Sequence, residues 1–136
     1  MLHGAEHIRR YEETNGQEGH FWLNGVPTLV LTTRGRKSGQ ERKSALIYQQ
    51  TEGRYLVVAS DGGAAKHPSW YLNLLAHPEV AVQVAANRFQ AAARTATPEE
   101  RAKFWPLMTA VWPHYDNYER KTTREIPLVI LEPIAA

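Results

Sequence analysis

The sequence predicts a mainly β fold, a small antiparallel β-barrel that carries α-helices. About six strand-like segments are joined by short turns, and one substantial and one short helix accompany them. Strands and helices do not alternate as they do in a doubly wound nucleotide-binding sheet. Because 136 residues suffice to bury one core, we expect a single barrel domain over residues 21–136.

Residues 1–20 precede this barrel and are predicted to form an arm or a short helix without a clear amphipathic stripe. His3 and His7 stand four residues apart, which on a helix would place both imidazoles on one face. The intervening residues do not match the zinc-protease motif, and no third ligand is evident. We therefore predict no metal site.

The first half of the barrel is predicted to be an antiparallel meander of three strands. Residues 27–33 form a β-branched and aliphatic run, residues 44–48 continue as a second strand, and residues 54–60 form a third. A turn at residues 51–53 joins the second strand to the third. Short connections of this kind favour neighbouring antiparallel strands.

The second half is predicted to begin with a short helix at residues 69–76, which the following His-Pro dipeptide ends. Residues 79–85 alternate with a period of two and pair with residues 89–95 as a hairpin. The sequence TPEE at residues 97–100 has the pattern of a capping box and opens the substantial helix. Residues 126–131 form the closing strand.

The basic run at residues 34–43 is the most distinctive stretch of the chain. It holds five of the sixteen Lys and Arg residues, together with Gly35, Ser38 and Gly39. Glycines permit positive φ and close approach, while Arg and Lys donate charge-assisted hydrogen bonds. We interpret this run as a cradle for an anion. A solvated hairpin tip, whose charges only keep the sheet soluble, is the alternative.

Composition excludes several classes of site. The net charge is only +2 and the basic residues are concentrated in one turn, which favours a small anionic ligand over nucleic acid. The chain has no cysteine, so disulfides, zinc–thiolate sites and thiol nucleophiles are excluded. Four Trp and six Tyr residues suit stacking on a planar ligand. With neither an apolar leader nor a membrane-spanning run, a cytoplasmic protein is expected.

Four motifs in this order resemble the deazaflavin-dependent nitroreductase and quinone reductase family. They are LTTRGRKSG at residues 31–39, VVASDGG at residues 57–63, HPSWYLNL followed by HPEV at residues 67–80, and REIP at residues 124–127. The match covers most of the chain, from about residue 23 to residue 133. Several ordered motifs at compatible separations are more specific than any one of them.

The resemblance implies a split β-barrel related to the flavin-mononucleotide-binding, pyridoxamine-phosphate-oxidase-like fold. It implies coenzyme F420 as cofactor, a deazaflavin with a phosphate and a polyglutamate tail, and hydride transfer to quinones, nitroaromatics or other electron-poor small molecules. In the family that it resembles, the N-terminal region varies and can cover the active site or touch a membrane. The cofactor contacts it implies are Arg36, Lys37, Ser38, Arg42, Lys43, Ser44, Ala45, Leu46, Ile47, Val58, Ala59, Ser60, Asp61, Ser69, Trp70, Tyr71, Leu72, Asn73 and Tyr115.

The chemistry of these residues agrees with that assignment. An anionic tail needs clustered cations, and the basic run supplies them; a tricyclic ring needs a flat, largely apolar slot, and residues 45–47, 70 and 71 suit it. Ser60, Tyr115 and Tyr118 are the candidate catalytic residues that donate a proton or a hydrogen bond to the acceptor. In the alternative reading, these three side chains only pack at a turn or a rim.

Two other functions remain compatible with the sequence. A flavin mononucleotide in the same barrel is one, although the extended basic run favours a longer polyanionic tail. A non-catalytic protein that carries the deazaflavin is the other. Trp112, at a position where some relatives have tyrosine, and Asp61, close to the expected ring site, bear on acceptor preference. The sequence does not fix the oligomeric state, and it allows peripheral membrane contact through a quinone substrate.

Overall fold

A computed structural model describes residues 2–134 of the chain. The helices are α1 (Gly4–Glu13), α2 (Ser69–Ala76), α3 (Pro98–Val111) and α4 (His114–Lys121). The strands are β1 (Thr28–Arg34), β2 (Glu41–Ile47), β3 (Gln49–Thr51), β4 (Arg54–Val58), β5 (Glu79–Val84), β6 (Asn87–Thr95) and β7 (Leu128–Pro133). Two short 3₁₀ turns cover Leu23–Gly25 and Asp61–Gly63.

The seven strands of this described region form one antiparallel sheet in the order β2-β1-β5-β6-β7-β4-β3. The edge strands β2 and β3 are consecutive in the chain, with only Tyr48 between them. The sheet therefore curls until its two edges meet in one bent strand, as the twist of antiparallel strands favours. The predicted mainly β barrel is confirmed.

The predicted three-stranded meander was correct in pairing its first two strands and wrong in pairing the second with the third. Strand β2 pairs with β1, whereas β4 pairs with β3 and β7. The chain bends at Tyr48, whose N–H donates to the Pro27 carbonyl 3.2 Å away, and changes partner there. The basic run is also not all turn, since residues 41–43 already belong to β2. The alternation of apolar and polar residues along the sequence predicts where a strand lies, but not which strand it pairs with.

Predictions from local sequence patterns in the second half of the chain were accurate. Val80, Val82 and Val84 all face the core, as the period of two predicts. Helix α2 has the predicted bounds. At the start of α3 the Glu100 N–H donates to Thr97 Oγ1 at 3.2 Å, and the Thr97 N–H donates to Glu100 Oε1 at 2.9 Å, which confirms the capping box.

Helices α1 and α4 depart from the sequence prediction. Helix α4 was not predicted. It begins directly after Pro113, and a proline just before a helix is well tolerated. Helix α1 does bury one face, through His7 and Tyr11, so the prediction that it lacks an amphipathic stripe was wrong. The Tyr11 hydroxyl donates to the Thr28 carbonyl at 2.8 Å and accepts the Ala85 N–H at 2.7 Å. These bonds fasten α1 to the barrel.

Two hydrophobic cores share strands β4 and β7. Val57, Val129 and Leu131 face the barrel interior. Leu56 and Ile130 face the opposite way, against α3 and α4. Both faces of these two strands are thus buried, and α4 is held beside the end of β4. Among residues 2–134, no helix combines the length and apolar composition needed to cross a bilayer.

Candidate functional site

Two adjoining cavities lie beside strand β2. The larger, which we call the chamber, has a volume of about 680 Å³; the smaller, which we call the basic pocket, has a volume of about 520 Å³. Five residues line both: Lys43, Ser44, Asp61, Pro68 and Trp70. One ligand with two chemically different ends can therefore occupy both cavities.

Four parts of the chain supply much of the chamber wall. Strand β2 contributes residues 44–47, the end of β4 and the following loop contribute Val58 and Ser60, and α4 contributes Tyr115 and Tyr118. The N-terminal segment closes another side through Leu2, His3, Gly4, Ala5, His7 and Ile8. The lining is mostly apolar and aromatic, with a few polar groups, as is typical of sites for planar cofactors.

The basic pocket is built on the turn between β1 and β2 and on the start of α2. Its lining residues are Gly35, Arg36, Lys37, Ser38, Arg42, Lys43, Ser44, Asp61, Pro68, Ser69, Trp70 and Asn73. The Gly39 N–H donates to the Gly35 carbonyl at 2.8 Å, and Gly39 has a φ of 73°, which favours glycine. Four cations line this one small cavity, and a cluster of this kind suits an anionic ligand.

Buried Asn73 fixes the position of this basic turn. Its Oδ1 accepts the Arg36 N–H at 3.2 Å and Arg36 Nη1–H at 2.8 Å. Its Nδ2 donates to Thr33 Oγ1 at 3.3 Å. Because Asn73 is only 3% exposed, these bonds are shielded from water. The Arg36 guanidinium is thereby positioned before any ligand arrives.

Arg124 holds the glycine-rich loop that carries Ser60 and Asp61. Its guanidinium donates to the backbone carbonyls of Ser60 at 2.7 Å, Ala64 at 2.9 Å and Ala59 at 3.2 Å. The loop also packs against α4, since a Cβ at Gly63 would lie 3.0 Å from the Tyr118 carbonyl oxygen. Loop and α4 therefore set each other's position at the chamber.

Tyr115 and Tyr118 differ in their environments. Tyr115 is 5% exposed, and burial raises the pKa of its hydroxyl far above the ordinary value. The hydroxyl of Tyr118 accepts Trp112 Nε1–H at 3.3 Å, and Trp112 packs against Trp22 with ring centroids 5.9 Å apart. All four aromatic side chains line the chamber.

The structure brings most of the predicted site residues to the two cavities. The three candidate catalytic residues line the chamber. Of the candidate cofactor contacts, Ala59, Tyr71 and Leu72 line neither cavity. Ala59 is fully buried, and the Tyr71 hydroxyl is 2.7 Å from Oγ1 of Thr95, which lines neither cavity.

The candidate site residues from the sequence included neither Trp22 nor any residue of the N-terminal wall, although the resemblance allowed this region to cover the active site. Trp22 Nε1–H donates to the Leu2 carbonyl at 3.0 Å, which ties the segment before β1 to the start of the chain. The i, i+4 pair His3 and His7, considered only as metal ligands, was a usable signal that both rings face one surface. Among the described residues, no three His, Cys, Asp or Glu side chains are placed to hold a metal ion.

Fold and site together define a class of protein. A curled barrel with an aromatic chamber that adjoins a cationic pocket has the features that a planar cofactor with an anionic tail requires. Residues 4–133 match the model of the F420H(2)-dependent quinone reductase family. The chain belongs to this family, which is one of F420-dependent oxidoreductases, and the family predicted from the sequence is confirmed.

Individual proteins agree with this assignment. The chain is 38% identical over 128 residues to an F420H(2)-dependent quinone reductase of Mycobacterium tuberculosis, covering 92% of this chain and 86% of the relative. It is 42% identical to an F420-H2 dependent reductase, FDR-A, of known structure, with a TM-score of 0.73 over 78% of this chain and 94% of that one.

Two further solved structures bear on assembly and fold. One, described as a domain-swapped dimer, is 38% identical, with a TM-score of 0.74 over 92% of this chain and 96% of that one. The other, a FAD-binding protein of Mesorhizobium loti, is only 11% identical, with a TM-score of 0.51 over 79% of this chain and 81% of that one. The second likeness shows the fold alone, and it confirms the predicted split barrel.

Proposed function

We propose that this protein binds reduced coenzyme F420 across the two cavities and uses it to reduce quinones. The observation that carries the proposal is the junction at Lys43, Ser44 and Trp70, where a cationic pocket meets an aromatic chamber. Neither cavity alone has both features. A deazaflavin with a phosphate and glutamate tail requires both at once.

The residues present fit this cofactor. The cations Arg36, Lys37, Arg42 and Lys43 would hold the anionic tail, and Arg36 is positioned for it by Asn73. Residues 45–47 of β2 and Trp70 would line the ring. When bound, reduced F420 supplies a hydride. Everything else required of the reaction falls to the protein's own side chains.

Those side chains would orient the acceptor and stabilise the charge it gains. A quinone carbonyl oxygen becomes negative as it is reduced, so a fixed hydrogen-bond donor there lowers the barrier. Tyr115, Tyr118 and Ser60 are the donors that line the chamber. Burial keeps Tyr115 protonated and hence able to donate. The N-terminal wall excludes water from the same space.

Nitroaromatics belong to the proposal as a second acceptor class. A nitro group, like a quinone, is planar and electron-poor, and it gains negative charge on oxygen when reduced. The aromatic wall of Trp22 and Trp112 offers such a ring a flat surface. We expect quinones to be the better acceptors because the family to which the chain belongs is named for quinone reduction.

Steady-state turnover tests the proposal. Oxidation of F420H2 is followed with a benzoquinone, a naphthoquinone and a nitroaromatic as acceptors, with flavin mononucleotide in place of F420 as the matched comparison. Acceptor-dependent oxidation with F420H2 alone supports the enzyme. Tight F420 binding without turnover of any acceptor would instead indicate a carrier, and turnover only with the flavin would indicate a flavin enzyme.

Peripheral contact with a membrane is the last part of the proposal. Phe21 is 70% and Leu23 is 38% exposed, and they flank Trp22 of the chamber wall. Exposed apolar side chains beside a site for lipid-soluble quinones suit insertion into a membrane surface. We expect the protein to co-sediment with lipid vesicles, and Phe21→Ser with Leu23→Ser to abolish this. Leu75→Ser, on α2 away from the chamber, is the control.

A further inference from the structure

His7 is the buried histidine of the chamber wall, and its hydrogen bonds fix its tautomer. The side chain is 4% exposed, and Nε2 lies 2.8 Å from the Gly19 carbonyl oxygen. A carbonyl can only accept, so Nε2 carries a proton and donates it. Thr28 Oγ1–H donates to the same carbonyl at 2.7 Å. The neutral ring therefore has its lone pair on Nδ1.

The orientation of the ring leaves Nδ1 available. Gly19 has a φ of 105°, and a Cβ built there would lie 2.9 Å from His7 Cδ2 and 3.1 Å from Nε2. The Cδ2–Nε2 edge thus faces the Gly19 backbone, and the opposite edge, which includes Nδ1, is turned away from it. Within residues 2–134, Nδ1 has no hydrogen-bond partner.

Few other groups in the chamber can release a proton near neutral pH. Burial raises the pKa of Tyr115 further from neutrality, and the Ser60 hydroxyl does not ionise in this range. Histidine is the side chain whose ordinary pKa, about 6.5, suits this task. Of the two chamber histidines, His3 is exposed and packs edge-on against Trp22. His7 alone is buried and held in one orientation.

We propose that His7 is the general acid of acceptor reduction; the inference rests on the proposed function. A quinone that has received a hydride is a hydroquinone monoanion with one negative oxygen. The Nδ1–H bond of the His7 imidazolium breaks, an O–H bond forms on that oxygen, and the neutral hydroquinone results. The imidazole, now neutral, regains a proton from water. Atoms and charge balance without a further reactant.

Several charged and titratable groups surround His7. The His7 ring contacts Tyr11 of the same helix and Gly19 of the loop packed against that helix. His20 packs against the other side of Tyr11. The other charged or titratable side chains that line the chamber are His3, Lys43, Asp61, Tyr115 and Tyr118. Lys43 is ion-paired with Glu12. The step needs the imidazolium, so turnover is expected to be lower at alkaline pH than at acid pH.

The first test needs no cofactor and no activity. Nitrogen chemical shifts of histidine-labelled, cofactor-free protein report which ring nitrogen is protonated. We expect neutral His7 to carry its proton on Nε2, with Nδ1 gaining a proton as the pH is lowered. A neutral ring protonated on Nδ1, or a ring that never becomes cationic between pH 8 and about 5, would overturn the assignment.

The second test uses His7→Gln, whose amide can still donate to the Gly19 carbonyl but cannot titrate. We expect F420 affinity to be retained, kcat for a naphthoquinone to fall on the order of 100-fold, and its pH dependence to disappear. His20→Gln, at a histidine bonded to Tyr11 outside the chamber, is the control and should keep wild-type kinetics. An unchanged kcat and pH profile in His7→Gln would refute the role. Wild-type protein inactive with every quinone would instead refute the proposed function, and the nitrogen shifts would still decide the tautomer.

Discussion

Lys43 Nζ lies 2.6 Å from Glu12 Oε2, which joins strand β2 to helix α1 where the chamber meets the basic pocket. The same ammonium lines both cavities. An anionic ligand in the basic pocket and the carboxylate of α1 therefore share one cation. The position of the chamber wall and the charge of the pocket are coupled through this pair.

Replacing Glu12 with Gln tests that coupling. We expect the affinity for F420 to rise several-fold, because a negative charge next to the anionic tail is removed. The free energy of unfolding should change by no more than about 1 kcal/mol, since the ion pair is partly exposed. Glu13→Gln, whose carboxylate pairs with Arg9 outside both cavities, is the control. Weaker binding in Glu12→Gln would show that the ordered wall matters more than the charge.

Removing two cations of the basic turn tests the tail site. For Arg36→Ala combined with Lys37→Ala, we expect F420 affinity to fall at least about 10-fold, because each charge-assisted hydrogen bond contributes roughly 1.5–3 kcal/mol. The loss should shrink in high salt. Arg9→Ala, an exposed cation of α1, is the control. Unchanged affinity in a folded double variant would remove the turn from the site.

Two neighbouring glycines separate backbone strain from a steric clash. Gly62 and Gly63 have φ values of 62° and 82°, so alanine costs about 1–2 kcal/mol at either position. Only at Gly63 would the new Cβ meet backbone, 3.0 Å from the Tyr118 carbonyl oxygen. Gly63→Ala is expected to be the less stable in urea unfolding and to displace α4 from the chamber. Equal losses in the two variants would argue against that contact.

Tyr115→Phe removes a hydrogen-bond donor without changing the shape of the chamber. We expect kcat for a quinone to fall on the order of 100-fold with little change in F420 affinity. Because burial raises the pKa of Tyr115, the wild-type rate should show no loss from tyrosinate formation up to about pH 10, the ordinary phenol value. Tyr55→Phe, in the barrel core, is the control. A rate equal to wild type would exclude the Tyr115 hydroxyl from the reaction.

Glu100 links stability to acid pH. Two hydrogen bonds from Arg94, at 2.7 and 2.8 Å, and one from the Thr97 N–H hold the pKa of its carboxyl at about 2, below the ordinary 4.5. A lowered pKa in the folded state stabilises the protein above the unfolded value, and that contribution is lost as pH falls from about 4.5 towards 2.

We therefore expect Glu100→Gln, which can keep the capping box but not the ion pair, to be less stable than wild type at pH 7. The difference in urea midpoint should shrink as the pH is lowered below 4.5. Glu100→Ala should lose roughly 1 kcal/mol more at every pH, because it also loses the cap. A Gln variant whose deficit is the same at pH 3 and pH 7 would contradict the assignment.

Some of this structure could be predicted from the sequence because the signals are local. The alternation of Val80, Val82 and Val84 and the capping box at Thr97 and Glu100 each span a few residues, and both were accurate. The change of strand partner at the end of β2 depends on the bend at Tyr48, and the alternation of side chains does not predict that bend. The hydrogen bond between Asn73 and Arg36 joins residues that are 37 positions apart in the chain, so no local signal predicts it.

The chamber wall shows the same limit. His7 and Tyr11 bury one face of α1, yet neither reads as an apolar residue, so the stripe went unnoticed. The prediction that the basic turn is an anion site came from residue chemistry. That the basic turn adjoins an aromatic chamber is seen only in the fold, because Lys43 and Trp70 meet only when β2 and α2 pack together.

A titration of the cofactor-free protein with F420 and, separately, with flavin mononucleotide tests the central claim most directly. Quenching of tryptophan fluorescence, corrected for the inner-filter effect, reports binding because Trp22, Trp70 and Trp112 line the chamber. The account predicts tight, salt-sensitive binding of F420 and much weaker binding of flavin mononucleotide. Preference for the flavin, or binding of neither, would contradict it.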